Sequence, residues 1–165
     1  MPEFATPTVP LACIILLVTA GCTDLTRRII PNGLIVAATV TGLIYHLLET
    51  PTIGHGFIVA VSGLLAGGSL LLLPYRLAWT GAGDVKLLAA LGTWLGPLSI
   101  VNVFVYTTLV GGLMAAGVWV CHWLKLRQIC VAGHLEQPKP TMPKLPYAVA
   151  MGGGYLLFLV WGNVC

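Results

Sequence analysis

Charge is the scarcest thing in this chain: only 8% of its 165 residues are Asp, Glu, Lys or Arg, while 58% are hydrophobic. Water-soluble domains carry about 25% charged and about 45–50% apolar residues. A chain this small leaves a large share of its surface in contact with the solvent, so in water it could not hide so much apolar surface. A bilayer removes the difficulty. The chain reads as an all-α, polytopic membrane helix bundle.

Other absences narrow the function. Five cysteines occur, Cys13, Cys22, Cys121, Cys130 and Cys165, and none forms a CxxC pair. Zinc-site spacing is therefore missing, and nothing demands a disulfide. His46, His55, His122 and His134 scatter over different ends of the chain, so no metal or other cofactor is expected. No basic stripe with interleaved aromatics marks a nucleic-acid partner. Val18-Thr19-Ala20-Gly21-Cys22 looks like a lipoprotein cleavage box, but only Glu3 and no Lys or Arg precedes the first apolar run. A secretory signal needs a basic first region, so this segment reads as a retained membrane helix. No repeat at a fixed period supports an inverted-repeat transporter.

What is present is a set of six apolar stretches: Val9 to Thr23, Gly33 to Leu48, Phe57 to Leu73, Val85 to Ile100, Val101 to Trp123, and Pro146 to Trp161. Each approaches the length of about 17–25 residues that spans a hydrocarbon core. Gly96-Pro97 marks the break between the fourth and fifth, because Pro does not continue a helix freely. All eight basic residues then fall on one side: Arg27 and Arg28, Arg76 and Lys86, and Lys125, Arg127, Lys139 and Lys144. Glu3 and Glu49 lie on the other. The positive-inside rule makes the basic side cytoplasmic and puts both termini outside. Lys125 to Lys144 reads as an irregular connector because of Pro138, Pro140 and Pro143. No second soluble module is evident, so residues 1–165 read as one membrane-embedded domain. Trp79, Trp123 and Trp161 fit an interfacial aromatic belt. Gly63 and Gly67, Gly112 and Ala116, and Gly152 to Gly154 are small residues of the kind that let membrane helices approach closely.

The chain contains only two aspartates. Asp24 ends the first span and Asp84 begins the fourth. An out-and-back hairpin separates them, so both reach the same, cytoplasmic, face. Acids at membrane helix ends are functional candidates by default. The bland alternative is helix capping, which suits Asp84 at a helix start better than Asp24 at a helix end. Gly81-Ala82-Gly83-Asp84 is a glycine-rich turn that opens a helix. Its glycines are expected to supply unusual backbone angles and room for a peptide substrate.

The block from Gly81 to Gly92, GAGDVKLLAALG, closely resembles the GxGD block of prepilin peptidases (type IV leader peptidases). Asp24-Leu25-Thr26-Arg27-Arg28-Ile29-Ile30-Pro31-Asn32 resembles that family's first block. Leu145-Pro146-Tyr147-Ala148-Val149-Ala150 resembles the block that opens its final span, with Ala148 where the family often has Gly. The resemblance implies a membrane aspartyl endopeptidase with Asp24 and Asp84 as catalytic pair. Gly81, Gly83, Lys86, Pro31, Asn32, Pro146 and Tyr147 would shape the site. Its partners would be prepilin or pseudopilin precursors, cut at their short basic leader, together with membrane lipid. The cysteine-bearing cytoplasmic insert of the methylating members is missing, which makes the chain similar to the short form of tight-adherence (Tad/Flp-type) pili.

On the residues alone, Lys86 either lowers the pKa of a nearby carboxyl or snorkels to the interface, with snorkelling favoured. Arg27 and Arg28 suit topology anchors, and Pro31 and Asn32 the turn into the second span. Four rival readings stand beside the prepilin peptidase. A small transporter or proton relay would hold its acids nearer the midplane. A non-catalytic assembly partner leaves the paired aspartates unexplained. Presenilin-like proteases place their first Asp after Tyr, whereas Thr23 precedes Asp24. Archaeal preflagellin peptidases share the motifs.

Overall fold

A computed structural model describes residues 7–27, 30–77, 80–131 and 147–162, side chains at 27 and 124–131 excepted. Every element among them is helical: α1 (Thr8–Arg27), α2 (Asn32–Glu49), α3 (Ile53–Arg76), α4 (Ala82–Val131) and α5 (Tyr147–Trp161). By length and composition, α1 to α4 can each cross a membrane, and α5 is a shorter apolar helix.

The longest helix is two helices. Gly96 carries φ 77° and ψ 174° within α4. Pro97 follows it and has no N–H to give the preceding turn. Gly is the residue that adopts such a positive φ without a Cβ clash. Neighbours on either side of the break establish that the chain reverses there. Gly67 packs against Leu88, Gly63 against Gly92, and Val59 against Gly96, so the arm 82–95 runs antiparallel to α3. Tyr106 donates its hydroxyl to the Gly162 carbonyl at 3.2 Å. Gly154 meets Thr107, and Gly111 meets Ala150, so the arm 97–131 runs antiparallel to α5. The start of α5 lies beside Asp84 and close to Gly111. A straight α4 would hold residues 84 and 111 about 40 Å apart. Six segments therefore alternate in direction, as the apolar stretches lead one to expect.

The arm 82–95 is the centre of the bundle. Leu87, Leu88, Ala90 and Leu91 are all fully enclosed, and buried Gly92 and Thr93 carry the burial round toward the opposite side, the condition of a buried helix. The arm is about 21 Å long, short for a span, and it lies inside longer neighbours. One contiguous buried cluster draws on all five helices, from Val9 and Cys13 in α1 to Tyr155 and Phe158 in α5.

The Gly96 break frees carbonyls that a continuous helix would use. His46 on α2 donates Nε2–H to the Trp94 carbonyl at 3.2 Å. Trp94 in turn donates Nε1–H to the Ala38 carbonyl at 2.8 Å and stacks on Tyr45 with ring centroids 5.5 Å apart. His46 thus works as a structural cap on the central arm.

Several expectations shift. The break falls at Gly96, at the Gly96-Pro97 marker and a few residues before the expected end of the fourth stretch at Ile100. α4 continues to Val131, through the first third of the expected irregular connector, because Leu, Lys, Arg and Gln there are good helix formers and the first Pro is Pro138. The prolines of that connector lie outside the described residues, as does Trp79. Gly63 and Gly67 do sit at a helix crossing, whereas a Cβ on Gly112 would meet nothing within 4 Å and Ala116 is exposed. Arg76 and Lys86 lie at the aspartate end of the bundle and Glu49 at the other. Arg28, Lys139 and Lys144 fall outside the described residues.

Candidate active site

Asp24 is placed by helical spacing. Val9, Cys13, Leu16, Leu17 and Ala20 form the buried stripe of α1, and Asp24 continues it by one turn. The stripe turns the carboxylate toward the bundle rather than toward lipid. The neighbouring hydroxyls do not compete for it. Thr23 donates to the Ala20 carbonyl at 2.9 Å, and Thr26 to the Cys22 carbonyl at 2.7 Å.

Asp84 is placed by the turn that opens α4. Gly81 caps the helix, and its carbonyl accepts from Asp84 N–H at 3.1 Å and Val85 N–H at 3.4 Å. Asp84 stands three residues on, and its Oδ2 accepts the Gly81 N–H at 3.1 Å. This is one half of a capping box, the third residue's side chain reaching back to the cap N–H, with Asp in the place of Glu or Gln. Asp84 is therefore the third residue of the helix, and Gly81 rather than Asp84 is its cap.

The charge of Asp24 reaches Asp84, behind burial and the Gly81 N–H in its influence on that carboxyl, and the Tyr147 hydroxyl lies within electrostatic reach of Asp84. The end of α1, the start of α4 and the start of α5 therefore converge. The turn into α2 completes the group. Ile30 is buried and packs on Gly83, where an added Cβ would stand 3.5 Å from it. Pro31 holds an extended φ of −62° and ψ of 129° before α2, and its carbonyl accepts from Leu34 N–H at 3.1 Å. Lys86 donates Nζ–H to Asn32 Oδ1 at 3.1 Å, tying α2 to α4 at the exposed rim. Its ammonium is exposed, as snorkelling implies, and its bonded partner is the Asn32 amide. Pro146 lies outside the described residues.

The glycines of the turn serve a purpose different from the expected one. Positive φ among the described glycines belongs to Gly96 and Gly162, not to Gly81 or Gly83. What Gly81 supplies is space: a Cβ there would stand 3.3 Å from Asp84 Oδ2, tight enough to push on the carboxylate. Gly83 leaves the surface on which Ile30 rests.

Two features of this end are silent in the sequence. Thr80, just before the cap, has a buried hydroxyl oxygen with no hydrogen-bond partner. Gly21, one turn before Asp24, is buried, yet a Cβ there would meet nothing within 4 Å. No motif marks either residue, because a lone Thr or Gly in an apolar chain carries no spacing signal.

Comparison with known proteins places this arrangement. The chain matches the type IV leader peptidase family over residues 11–116. It is 32% identical over 153 residues to a prepilin leader peptidase/N-methyltransferase of Aeromonas hydrophila. It is likewise 32% identical over 144 residues to one of Aeromonas salmonicida strain A449. Each alignment takes in 85% of this chain and 44% of the relative, so the chain spans less than half the length of the curated relatives it matches. No solved structure matches it. The matched stretch contains Asp24, the Ile30-Pro31-Asn32 turn and the Gly81-to-Asp84 turn that packs on it, and the chain belongs to the type IV leader peptidase family.

Proposed function

We propose that this chain is a membrane aspartyl endopeptidase that removes the short basic leader from type IV pilin-like precursors. The observation that carries the reading is that Asp24 and Asp84, the two aspartates of the chain, lie within electrostatic reach of each other at one end of the bundle. The site faces the cytoplasm in a multi-pass protein of the bacterial inner membrane, on the positive-inside argument. Its substrates are Flp/Tad-type prepilins or pseudopilins. Residues 1–165 act as a single peptidase domain.

Two close carboxyl groups cannot both ionise easily and share a proton. The ionised group takes a proton from water as the water oxygen attacks the scissile carbonyl carbon. The protonated group gives its proton to the carbonyl oxygen as negative charge develops there. Collapse of the tetrahedral intermediate then breaks the C–N bond. The bonding pair stays on nitrogen, which takes up a proton as the amine leaves. The proton belongs to the pair rather than to either residue.

Position at the lipid–water boundary suits this substrate. The apolar helix of the precursor stays in lipid while its polar leader and the cut site meet water and the dyad. Leader cations gather at anionic cytoplasmic lipid, each attracted by about 1 kcal/mol. Tyr147 and Gly81 shape the Asp84 side of the site, and Ile30, Pro31, Asn32 and Lys86 fix the turn beside it.

The test is co-expression with an epitope-tagged prepilin, read as the mobility shift on leader loss. Wild type cuts, while Asp24→Asn and Asp84→Asn each lose at least about 10³-fold in rate, the scale of removing a general acid or base. Normal processing by either variant contradicts the dyad. Ion flux in proteoliposomes without any cleavage would point to a transporter instead.

A further inference from the structure

We propose that the Thr80 hydroxyl is a third working group of this site, seating the water that the aspartates activate; this rests on the peptidase reading above. Thr80 Oγ1 is buried and has no hydrogen-bond partner among the described residues. Threonines inside helices commonly turn the hydroxyl back to a carbonyl one turn earlier, as Thr19, Thr39 and Thr93 do. Thr80 stands outside the helices, just before the cap of α4.

Leaving a buried hydroxyl unpaired costs about 1–3 kcal/mol. A valine of the same shape would avoid that cost. Thr107 and Tyr155 also carry unpaired buried hydroxyls, but they lie inside the bundle. Thr107 packs against Gly154. Tyr155 faces the Cys13 thiol, at a geometry that falls short of a hydrogen bond. Thr80 alone of the three belongs to the turn that opens the helix of Asp84. Its peptide leads directly into Gly81, whose N–H holds Asp84 Oδ2. One short turn therefore carries both the hydroxyl and the carboxylate. Gly81 engages one carboxylate oxygen, and the other retains acceptor capacity for water.

A water held between Thr80 Oγ and the dyad has its oxygen oriented for attack. Thr80 donates a hydrogen bond to that oxygen. The water proton passes to the ionised carboxylate, and the new C–O bond forms as the carbonyl pair moves onto oxygen. Thr80 is neither consumed nor ionised. The hydroxyl thus contributes orientation, which shows in turnover more than in substrate binding.

The experiment compares wild type, Thr80→Ser and Thr80→Val, each the full chain in detergent micelles with a tagged prepilin. Thr80→Val should lower kcat by about 30-fold with KM within about twofold, while its melting temperature holds or rises as the unpaired hydroxyl disappears. Thr80→Ser, which keeps the hydroxyl, should remain within about threefold of wild-type kcat. Opposite movement of turnover and stability is the signature, since a merely structural Thr80 would lose both together. The proposal is overturned if Thr80→Val turns over like wild type, if it fails to fold or melts earlier, or if Thr80→Ser is as slow as Thr80→Val. A wild-type chain that leaves the prepilin uncut would instead sink the peptidase reading.

Discussion

The two aspartates ride on helices held in opposite ways. The central arm 82–95, which carries Asp84, is locked by backbone contact. Gly63 and Gly92 leave each other no room for a Cβ, Gly67 lies on the Leu88 carbonyl, and Gly42 fits under Thr93 and Trp94. α1, which carries Asp24, rests chiefly on α5 and only lightly on α2, through side chains such as Cys13, Leu16 and Leu17. Close packing of small residues fixes membrane helices rigidly, whereas side-chain contacts allow a helix to slide. One acid therefore belongs to a scaffold and the other to a seat.

The contrast can be broken from the scaffold side first. Gly92→Leu drives a side chain into the Gly63 backbone, which cannot yield, and should cost well over about 3 kcal/mol, the upper range for overpacking. Little folded protein should survive a detergent melt. Leu17→Ala works on the seat. It removes a buried side chain from α1 and should cost about 2–3 kcal/mol. Its loss of leader cleavage should exceed the loss expected from the unfolded fraction alone, because Asp24 shifts while the scaffold stays intact. Equal losses of activity and folded fraction would erase the distinction between scaffold and seat.

Smaller effects sharpen the picture at the far end. Gly96→Ala forces a Cβ into a backbone region open essentially to glycine alone and should cost about 1–3 kcal/mol; a melting temperature equal to wild type would mean that the chain does not reverse there. His46→Ala leaves the freed Trp94 carbonyl without its donor and should cost about 1 kcal/mol. Cleavage by the folded fraction of either variant should be unchanged, since both residues lie at the end remote from the dyad.

Much of this arrangement is legible in the sequence because the membrane makes it so. Hydropathy sets the spans, and the placement of basic residues sets their alternation. Two acids separated by a hairpin must then share a face. Gly63 and Gly67 advertise a crossing by their spacing. Gly112 and Ala116 carry the same spacing without a described partner, so the spacing signals the capacity to pack and not the contact. The roles of Gly81 and Gly83 were less readable, because glycine serves both for backbone angle and for space, and only the fold shows that space matters here. His46 gains its meaning from the Trp94 carbonyl, freed by the Gly96 break about 50 positions away. Thr80 gains its meaning from what it fails to bond, which no sequence pattern can display.

The central claim is that Asp24 on its seat and Asp84 on the scaffold are neighbours before any substrate arrives. Replace both with Cys in a chain whose five native cysteines are changed to Ala or Ser, and treat membranes with a short bifunctional thiol reagent. Use Asn32→Cys with Lys86→Cys, positions joined by a 3.1 Å hydrogen bond, as the reference pair. The account predicts that the 24–84 pair cross-links without prepilin, at a rate comparable with the reference pair. Efficient linking of 32 to 86 with none between 24 and 84 would contradict it.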